Sequence, residues 1–273
     1  MLDVDLQYQK RILLADILGL SMTDLLIQNP DLSLKQKEAF EQKLILLNQG
    51  YPVDYLLHTI KFAGIKLSLT SDVLIPRPET EEWIGRLVKY DFFQKITAGK
   101  KLKLVDIGTG SGAIGISLSF YFNEVFLVDI SAKALKIAKN NSNLNNTSNV
   151  SCLKSDLLNS FCFQNNNESE KIYIDINSTV LVANLPYLPT CDEPEMNKTN
   201  VRYEPKLALY SGEDGLDLFK KLLKQLNDLP VLSIFELDPR NIQYAKKLLS
   251  QLYTKTFIWN DGFGKERLLI GQI

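Results

Sequence analysis

Two short segments of the 273-residue sequence combine residue types that could bind a ligand and act on it. Residues 105–112 (VDIGTGSG) place three glycines between an apolar, strand-like run and a helical pattern. Because glycine has no Cβ, such a segment allows a tight turn and a close approach of a ligand to the backbone. Residues 182–187 (VANLPY) follow a later apolar run and carry an amide, Asn184, and a phenol, Tyr187. Both segments would lie at the carboxyl ends of strands, where a doubly wound sheet binds its ligands.

The glycine segment fits two kinds of nucleoside ligand. Gly108, Gly110 and Ala113 satisfy the dinucleotide pattern G-x-G-x-x-G/A. Asp129 follows about twenty residues later, the spacing typical of an acid that binds ribose hydroxyls. A nicotinamide cofactor and another nucleoside ligand are both compatible with this pattern, and the structural alternative is a tight turn that binds nothing.

The elements that would position these segments alternate along the chain. Apolar strand-like runs and helical patterns take turns after residue 100, which predicts an α/β fold with a mostly parallel sheet and helices on both faces. We predict strands at 103–107, 125–129, 150–153, 180–183 and 231–237, and helices at 113–121, 131–141, 216–226 and 241–252. The segments 254–259 and 267–273 are expected to add antiparallel strands at the end of the sheet.

The N-terminal part of the chain has a different pattern. Apolar residues recur at helical spacing in the first fifty residues, and Ser33 with Gln36 forms a predicted capping box. From about residue 60 to 74, alternating β-type residues around Ala63 and Gly64 predict a hairpin. We therefore expect a helical domain with a hairpin linker at 1–75 and a catalytic domain at 76–273.

Composition restricts the kinds of partner. A formal net charge of −1 lacks the basic excess of most nucleic-acid binders. Three cysteines without C-x-x-C spacing and the single histidine, His58, predict neither a disulfide framework nor a metal site. No run approaches the roughly 18 apolar residues of a membrane span, and the N-terminus is unlike a signal peptide. We expect a cytoplasmic protein that acts on a protein or a small molecule.

Asp106 is a second acid, within the glycine segment itself and two residues before Gly108. With it, the segment resembles the first motif of class I methyltransferases, which bind S-adenosylmethionine on a Rossmann-like doubly wound sheet. The resemblance implies that Asp106 lies near the ligand's ammonium group, that Asp129 binds the ribose, and that Asp156 and Leu157 border the adenine. The implied cofactor-binding residues are Asp106, Gly108, Thr109, Gly110, Ser111, Gly112, Asp129, Asp156, Leu157 and Asn184.

Residues 184–187 resemble the Asn-Pro-Pro-Tyr signature of methyltransferases that modify planar amide or exocyclic amino nitrogens. In those enzymes the asparagine oxygen and the next backbone carbonyl accept the two N–H bonds of the target nitrogen, and the tyrosine covers the flat group. The resemblance assigns these roles to Asn184, the Leu185 carbonyl and Tyr187, with Pro186 keeping Leu185 extended. Leu185 replaces the commoner proline, but every residue supplies a carbonyl. Asn-Leu-Pro-Tyr also occurs in ribosomal RNA adenine dimethylases, so this motif leaves a nucleic-acid adenine-N6 methyltransferase as an alternative.

Residues 74–81 (LIPRPETE) closely resemble a segment of the release-factor glutamine methyltransferases. Further matches to that family occur at 51–55, 201–205 and 212–216, whereas 159–170, a predicted surface loop, and 238–240 fit it poorly. Related enzymes that methylate a ribosomal-protein glutamine have Arg-Ser-Pro in place of Arg-Pro-Glu at 77–79. The resemblance therefore covers most of the chain, including the N-terminal helices.

The family resemblance implies methyl transfer from S-adenosylmethionine to the glutamine amide nitrogen in the Gly-Gly-Gln motif of class I release factors. It implies no metal, no membrane, no direct nucleic-acid binding and a monomer, with the N-terminal helices recognising the protein substrate. The implied substrate-binding residues are Asn184, Leu185, Pro186, Tyr187, Arg77 and Glu79. A nicotinamide oxidoreductase and a binding module that only senses S-adenosylmethionine are the more distant alternatives.

Overall fold

A seven-stranded sheet forms the centre of the chain in this computed structural model, which describes residues 2–28, 30–99, 101–162 and 171–273. The described strands are β1 (Ile60–Phe62), β2 (Ile65–Leu67), β3 (Lys103–Ile107), β4 (Glu124–Asp129), β5 (Val150–Lys154), β6 (Phe161–Cys162), β7 (Ile172–Tyr173), β8 (Thr179–Ala183), β9 (Leu232–Glu236), β10 (Lys255–Asn260) and β11 (Glu266–Gln272).

The strand order of the large sheet is β10, β11, β9, β8, β3, β4, β5. From β9 to β5 neighbouring strands are parallel, while β11 is antiparallel to both β9 and β10. β8 and β9 are buried along their whole length, as expected for strands covered on both faces. The predicted α/β, Rossmann-like sheet with antiparallel strands at one end is confirmed.

Helices cover both faces of this sheet. The described α-helices are α1 (Leu2–Leu18), α2 (Met22–Gln28), α3 (Leu34–Asn48), α4 (Pro78–Leu87), α5 (Asp91–Thr97), α6 (Ala113–Leu118), α7 (Ala132–Leu144), α8 (Glu193–Met196), α9 (Asp217–Gln225) and α10 (Ile242–Leu249). Short 3₁₀ turns occur at Val53–Tyr55, Ser119–Tyr121, Ile176–Ser178, Thr190–Asp192, Asn200–Tyr203 and Lys206–Ala208. Side chains of α4, α6 and α7 share one apolar core with the sheet, and those of α9 and α10 share the other.

Successive residues of one strand belong to different cores. Leu104 on β3 belongs to the core under α4, α6 and α7, whereas Val105 belongs to the core under α9 and α10. Because side chains alternate across a strand, a continuous apolar run is what a strand between two helical layers requires. The predicted strands at 103–107 and at the four later positions are each found within two residues of their expected bounds.

The N-terminal helices have a small core of their own. Leu13, Leu47 and Leu56 are its buried members. The capping box is confirmed, since the Ser33 hydroxyl accepts from the Gln36 backbone N–H and the Gln36 side chain accepts from the Ser33 N–H. With three buried members among the described residues, this core is much smaller than either core of the sheet.

The hairpin is found where it was predicted, but it packs with the sheet. Phe62, Ile65 and Leu67 of β1 and β2 are buried in the same core as α4, α6 and α7. Asn141 of α7 bonds the backbone N–H and carbonyl of Ser68 just after the hairpin. The hairpin thus shares the apolar core of the catalytic part of the chain, and the domain division near residue 75 stays a prediction.

The predicted loop at 159–170 falls only partly within the structure. Residues 163–170 lie outside the described part of the chain, and β6 occupies the beginning of the segment. Short elements such as α5 and α8 were not predicted. No helix in the described ranges is long and apolar enough to cross a membrane.

Candidate functional site

A cavity of about 360 Å³ opens at the carboxyl ends of β3, β4, β5 and β8. Its walls come from residues at the ends of those four strands or directly after them, at 107–111, 128–131, 155–157 and 184–186. The segment before α4 closes another side through Leu74 and Pro76. The carboxyl ends of parallel strands meet at one edge of a sheet, so residues distant in sequence line one cavity.

The glycine segment 105–112, here called the glycine loop, lines this cavity through residues 107–111 and is held by Asp129. Gly108 and Gly110 have φ values of +68° and +54°, which a side chain would disfavour. The Asp129 carboxylate accepts from the backbone N–H of Gly110 at 2.9 Å and from that of Ser131 at 2.8 Å. Burial raises the pKa of Asp129. Two bonds leave this carboxylate with lone pairs for further donors, such as ribose hydroxyls.

Asp106 lies behind the loop rather than in the cavity wall. Its Oδ2 accepts from the Thr109 hydroxyl at 2.6 Å and from the Gly115 N–H at 2.9 Å. Its Oδ1 is buried and has no hydrogen-bond partner among the described residues. Burial raises the pKa of Asp106 to about 6, against the opposing effect of the two hydrogen bonds. A buried carboxylate with a spare oxygen is stabilised by a nearby cation, so this acid suits a ligand that carries an ammonium group.

The cavity wall also contains a strained residue, Leu157. Leu157 is buried and adopts a φ of +55°, a left-handed conformation that is costly for leucine. The preceding Asp156 forms an ion pair with Lys221 of α9. Strained backbone persists where the surrounding structure fixes it, and it is frequent at ligand sites. Asp156 and Leu157 both line the cavity, as expected for residues that border a nucleobase.

A second cavity of about 120 Å³ adjoins the first. Arg77 and Tyr187 line this smaller cavity but not the larger one. The residues in the walls of both cavities are Leu74, Asn184, Leu185 and Ala208. The sequence therefore folds so that the asparagine of the 184–187 motif stands between two chambers.

Gly215 lies close to the backbone of the 184–187 motif. A Cβ on Gly215 would lie 2.1 Å from the Tyr187 carbonyl oxygen, so only glycine permits this contact. Burial, and then the nearby charge of Glu236, raise the pKa of Tyr187. The tyrosine is thus a neutral phenol in this site and acts through its ring and hydroxyl.

Two buried acids that were not identified as site residues from the sequence bond to residues of the cavity walls: Glu204 bonds Arg77 of the smaller cavity, and Glu236 bonds Thr80 of the larger one. Glu204 accepts from the Ile75 N–H at 3.1 Å and forms an ion pair with Arg77 at 2.8 Å. Glu236, at the end of β9, accepts from the Thr80 hydroxyl and the Trp83 indole N–H, both at 2.7 Å. Burial raises the pKa of Glu236.

The position of each acid in the sequence offers a partial signal. Glu204 lies within the family-like string at 201–205, and Glu236 ends an apolar strand, where an acid stands out. Neither signal names a partner. Each acid bonds to a residue of α4 or to one just before it, more than 100 residues away in the sequence. Only the folded chain therefore reveals the pairs.

The segment 238–240, which fits the family pattern poorly, also contacts this region. Arg240 forms ion pairs with Asp238 and with Asp192, each between 2.7 and 2.8 Å. Asp192 belongs to the turn that follows the 184–187 motif. Arg240 therefore ties the end of β9 to the chain leaving the motif.

The structure distributes the residues predicted for the site among three positions. The larger cavity is lined by Gly108, Thr109, Gly110, Ser111, Asp129, Asp156, Leu157, Asn184, Leu185 and Pro186. Arg77 and Tyr187 line the smaller cavity beside Asn184 and Leu185. Asp106, Gly112 and Glu79 line neither cavity. Among the described residues, no group of three or more His, Cys, Asp or Glu side chains could hold a metal ion.

Comparison with known proteins gives a consistent result. Residues 98–198 match a family model described as a methyltransferase domain. The chain is 31% identical to the release factor glutamine methyltransferase of Flavobacterium psychrophilum, over 89% of this chain and 84% of that protein. It is 32% identical to the protein of the same name from Rhodopirellula baltica, over 87% of this chain and 79% of that one.

Solved structures bear on the fold. The catalytic domain of hMettl16, solved in complex with the MAT2A 3′UTR hairpin 1, superposes with a TM-score of 0.57 over 87% of this chain and 80% of that one, at 15% identity. The N-terminal domain of human METTL16 gives a TM-score of 0.52 over 89% of this chain and 84% of that one, at 15% identity. At this identity the likeness shows a shared methyltransferase fold only. Extended similarity to the curated relatives shows that the chain belongs to the release factor glutamine methyltransferase family.

Proposed function

We propose that the chain methylates the side-chain amide nitrogen of the glutamine in the Gly-Gly-Gln motif of class I release factors. The observation that carries this proposal is the position of Asn184 in the shared wall of two cavities. One cavity has the glycine loop and Asp129, which suit a nucleoside donor. The other is small and has the Tyr187 ring, which suits a flat amide.

The methyltransferase family implies S-adenosylmethionine as co-substrate. When bound, it supplies an electrophilic methyl group on a positively charged sulfur. Asp129 would accept from the ribose hydroxyls, Asp106 would balance the ammonium charge from behind the loop, and Leu157 would pack on the adenine. No metal is required for this assignment, because the charge on the sulfur already activates the methyl group.

At the acceptor end, this chain's residues orient a weak nucleophile. An amide nitrogen has a delocalised lone pair, so correct placement contributes much of the rate. The Asn184 side-chain oxygen and the Leu185 carbonyl would each accept one N–H of the glutamine amide. The Tyr187 ring would cover the amide plane, and Arg77, held by Glu204, would lie at the far wall. The methylated amide then loses its extra proton to water.

The partner in this proposal is a folded release factor, recognised in part by the N-terminal helices. We further propose a monomer that acts in the cytoplasm and does not bind nucleic acid directly. A nucleic-acid adenine-N6 methyltransferase is not favoured, because the curated relatives that match most of the chain are named glutamine methyltransferases.

Incubation with isotopically labelled S-adenosylmethionine and a purified class I release factor tests the proposal. We expect label on the glutamine of the Gly-Gly-Gln motif, located by peptide mass spectrometry. A release factor with that glutamine replaced by alanine is the control and should take up no label. Label on RNA or DNA in parallel reactions, with none on the release factor, would reject the proposed substrate.

A further inference from the structure

Leu185 occupies a special place among the four residues that line both cavities. It is buried, with 6% of its surface exposed, and its side chain packs in the core beneath α9 and α10. Leu74 and Ala208, which also line both cavities, are only partly buried. A group that moves from the larger cavity to the smaller one must pass this border, so the size of the Leu185 side chain bears on what can pass.

The same side chain rests on the glycine loop. A Cβ built on Gly108 would lie 2.9 Å from the Cδ2 atom of Leu185. By contrast, a Cβ on Gly110 would meet nothing within 4 Å. Gly108 therefore lacks a side chain for two reasons, its left-handed backbone and the space that Leu185 fills.

We infer that the Leu185 side chain, in addition to its carbonyl, sets the spacing between the donor loop and the acceptor motif and limits the size of the group transferred. This inference rests on the proposed methyl transfer. A proline at this position would not reach as far over Gly108, so the contact belongs to this chain's own leucine. Leu185 is in this respect a specificity-determining and positioning residue.

A donor with a larger transferable group tests the size limit. In S-adenosyl analogues that carry propargyl in place of methyl, the glutamine nitrogen forms a bond to the propargyl carbon as the carbon–sulfur bond breaks. The electron pair of that bond stays on sulfur, and the nitrogen loses its extra proton to water. The balance is the same as for methyl transfer, and the different intrinsic reactivity of the propargyl carbon cancels when the propargyl-to-methyl ratio is compared between variants.

The experiment compares propargyl with methyl transfer to a purified release factor in the wild type, Leu185→Ala and Leu185→Val. We expect the ratio of propargyl to methyl kcat/KM to rise about tenfold or more in Leu185→Ala, the usual value of one or two carbons in an apolar pocket. Leu185→Val, which folds with less disturbance, should give a smaller rise. Leu188→Ala is the matched control, because Leu188 lines only the smaller cavity and should leave the ratio unchanged. An unchanged ratio in both Leu185 variants, or an equal rise in the control, would overturn the inference.

A second measurement does not depend on the substrate. In the ligand-free protein, Gly108→Ala should lower the melting temperature more than Gly110→Ala, because both alter a left-handed glycine but only the first meets Leu185. In a Leu185→Ala background this difference should disappear. If the difference in melting temperature persists in the Leu185→Ala background, Leu185 does not pack on Gly108 as the inference requires, and the inference fails. If it disappears while no release factor is labelled by the wild type, the proposed substrate fails and the contact stands.

Discussion

The two cavities of the site are built in different ways. The donor cavity takes most of its binding residues from one stretch, 105–157, in which three consecutive strands of the parallel sheet end side by side. Backbone N–H groups and short-range turns hold it. The acceptor cavity gathers segments near residues 75, 187 and 204, and Glu204 joins the first of them to the last through long-range bonds. A nucleoside site can thus be encoded locally, whereas the acceptor site depends on distant contacts.

Asn184→Ala should separate the roles of the donor cavity and the acceptor cavity most clearly. Loss of one preorganised acceptor for the target amide should lower turnover about 10²–10³-fold, or roughly 2.7–4 kcal/mol. Affinity for S-adenosylmethionine should change much less, because the donor cavity keeps its other walls. Single-turnover kinetics at saturating donor measure the first quantity and calorimetry the second. Asn197→Ala, an exposed asparagine outside both cavities, is the control. Near wild-type turnover in Asn184→Ala would remove its proposed role.

Asp129→Ala should show the reverse pattern. The carboxylate holds Gly110 and faces the donor cavity, so its loss should weaken binding of S-adenosylmethionine and of its demethylated product by roughly 1–3 kcal/mol. Once the donor is saturating, turnover should fall less than in Asn184→Ala. Asp31→Ala, an exposed acid in the N-terminal region, should bind both ligands normally. Unchanged affinity in Asp129→Ala would show that ribose recognition lies elsewhere.

The pH dependence of donor binding should report on Asp106. Its pKa is raised from 3.8 to about 6, so the charged form that attracts an ammonium group is lost as the pH falls through 6. Donor affinity should then drop up to about tenfold between pH 7 and 5. The ligand-free protein should respond oppositely. Its folded state binds this proton more tightly than its unfolded state, so the contribution of Asp106 to stability rises as the pH falls from about 6 towards 3.8.

Asp106→Asn distinguishes this group from others that titrate nearby. An asparagine can still bond Thr109 and Gly115 but cannot change its charge. Calorimetric titration of the variant should therefore give a weaker affinity with a flatter pH profile. A profile as steep as that of the wild type would assign the pH dependence to another acid.

Arg240→Gln should have the smallest effect and should fall on the acceptor side alone. The Arg240 side chain is 53% exposed, and ion pairs at such positions contribute about 1 kcal/mol or less. We expect kcat/KM for the release factor to fall by no more than about fivefold, with unchanged donor affinity. Arg86→Gln is the control, since Arg86 forms an exposed pair with Glu82 away from both cavities. A loss of donor affinity in Arg240→Gln would contradict the separation of the two halves.

Local patterns in the sequence determined the donor cavity and the strands of the parallel sheet. Apolar runs mark β8 and β9 most clearly, because strands covered on both faces are apolar along most of their length. The glycines of 105–112 and the acid Asp129 follow from the needs of a tight turn and a ribose, which are satisfied within a few residues of two strand ends. The family resemblance of 74–81 and 184–187 then indicated the acceptor.

The tertiary structure alone decided which distant partners complete the two cavities. The Arg77–Glu204 pair spans 127 residues and the Thr80–Glu236 bond spans 156, and no local spacing encodes either. The same holds for the hairpin, whose apolar residues predicted a connector but pack in the main core. It holds also for Leu185, which the sequence presents only as a backbone carbonyl that accepts an N–H, whereas the fold places its side chain against Gly108. Periodicity reports which face of an element is buried, while the neighbour that covers it is fixed only when the elements pack.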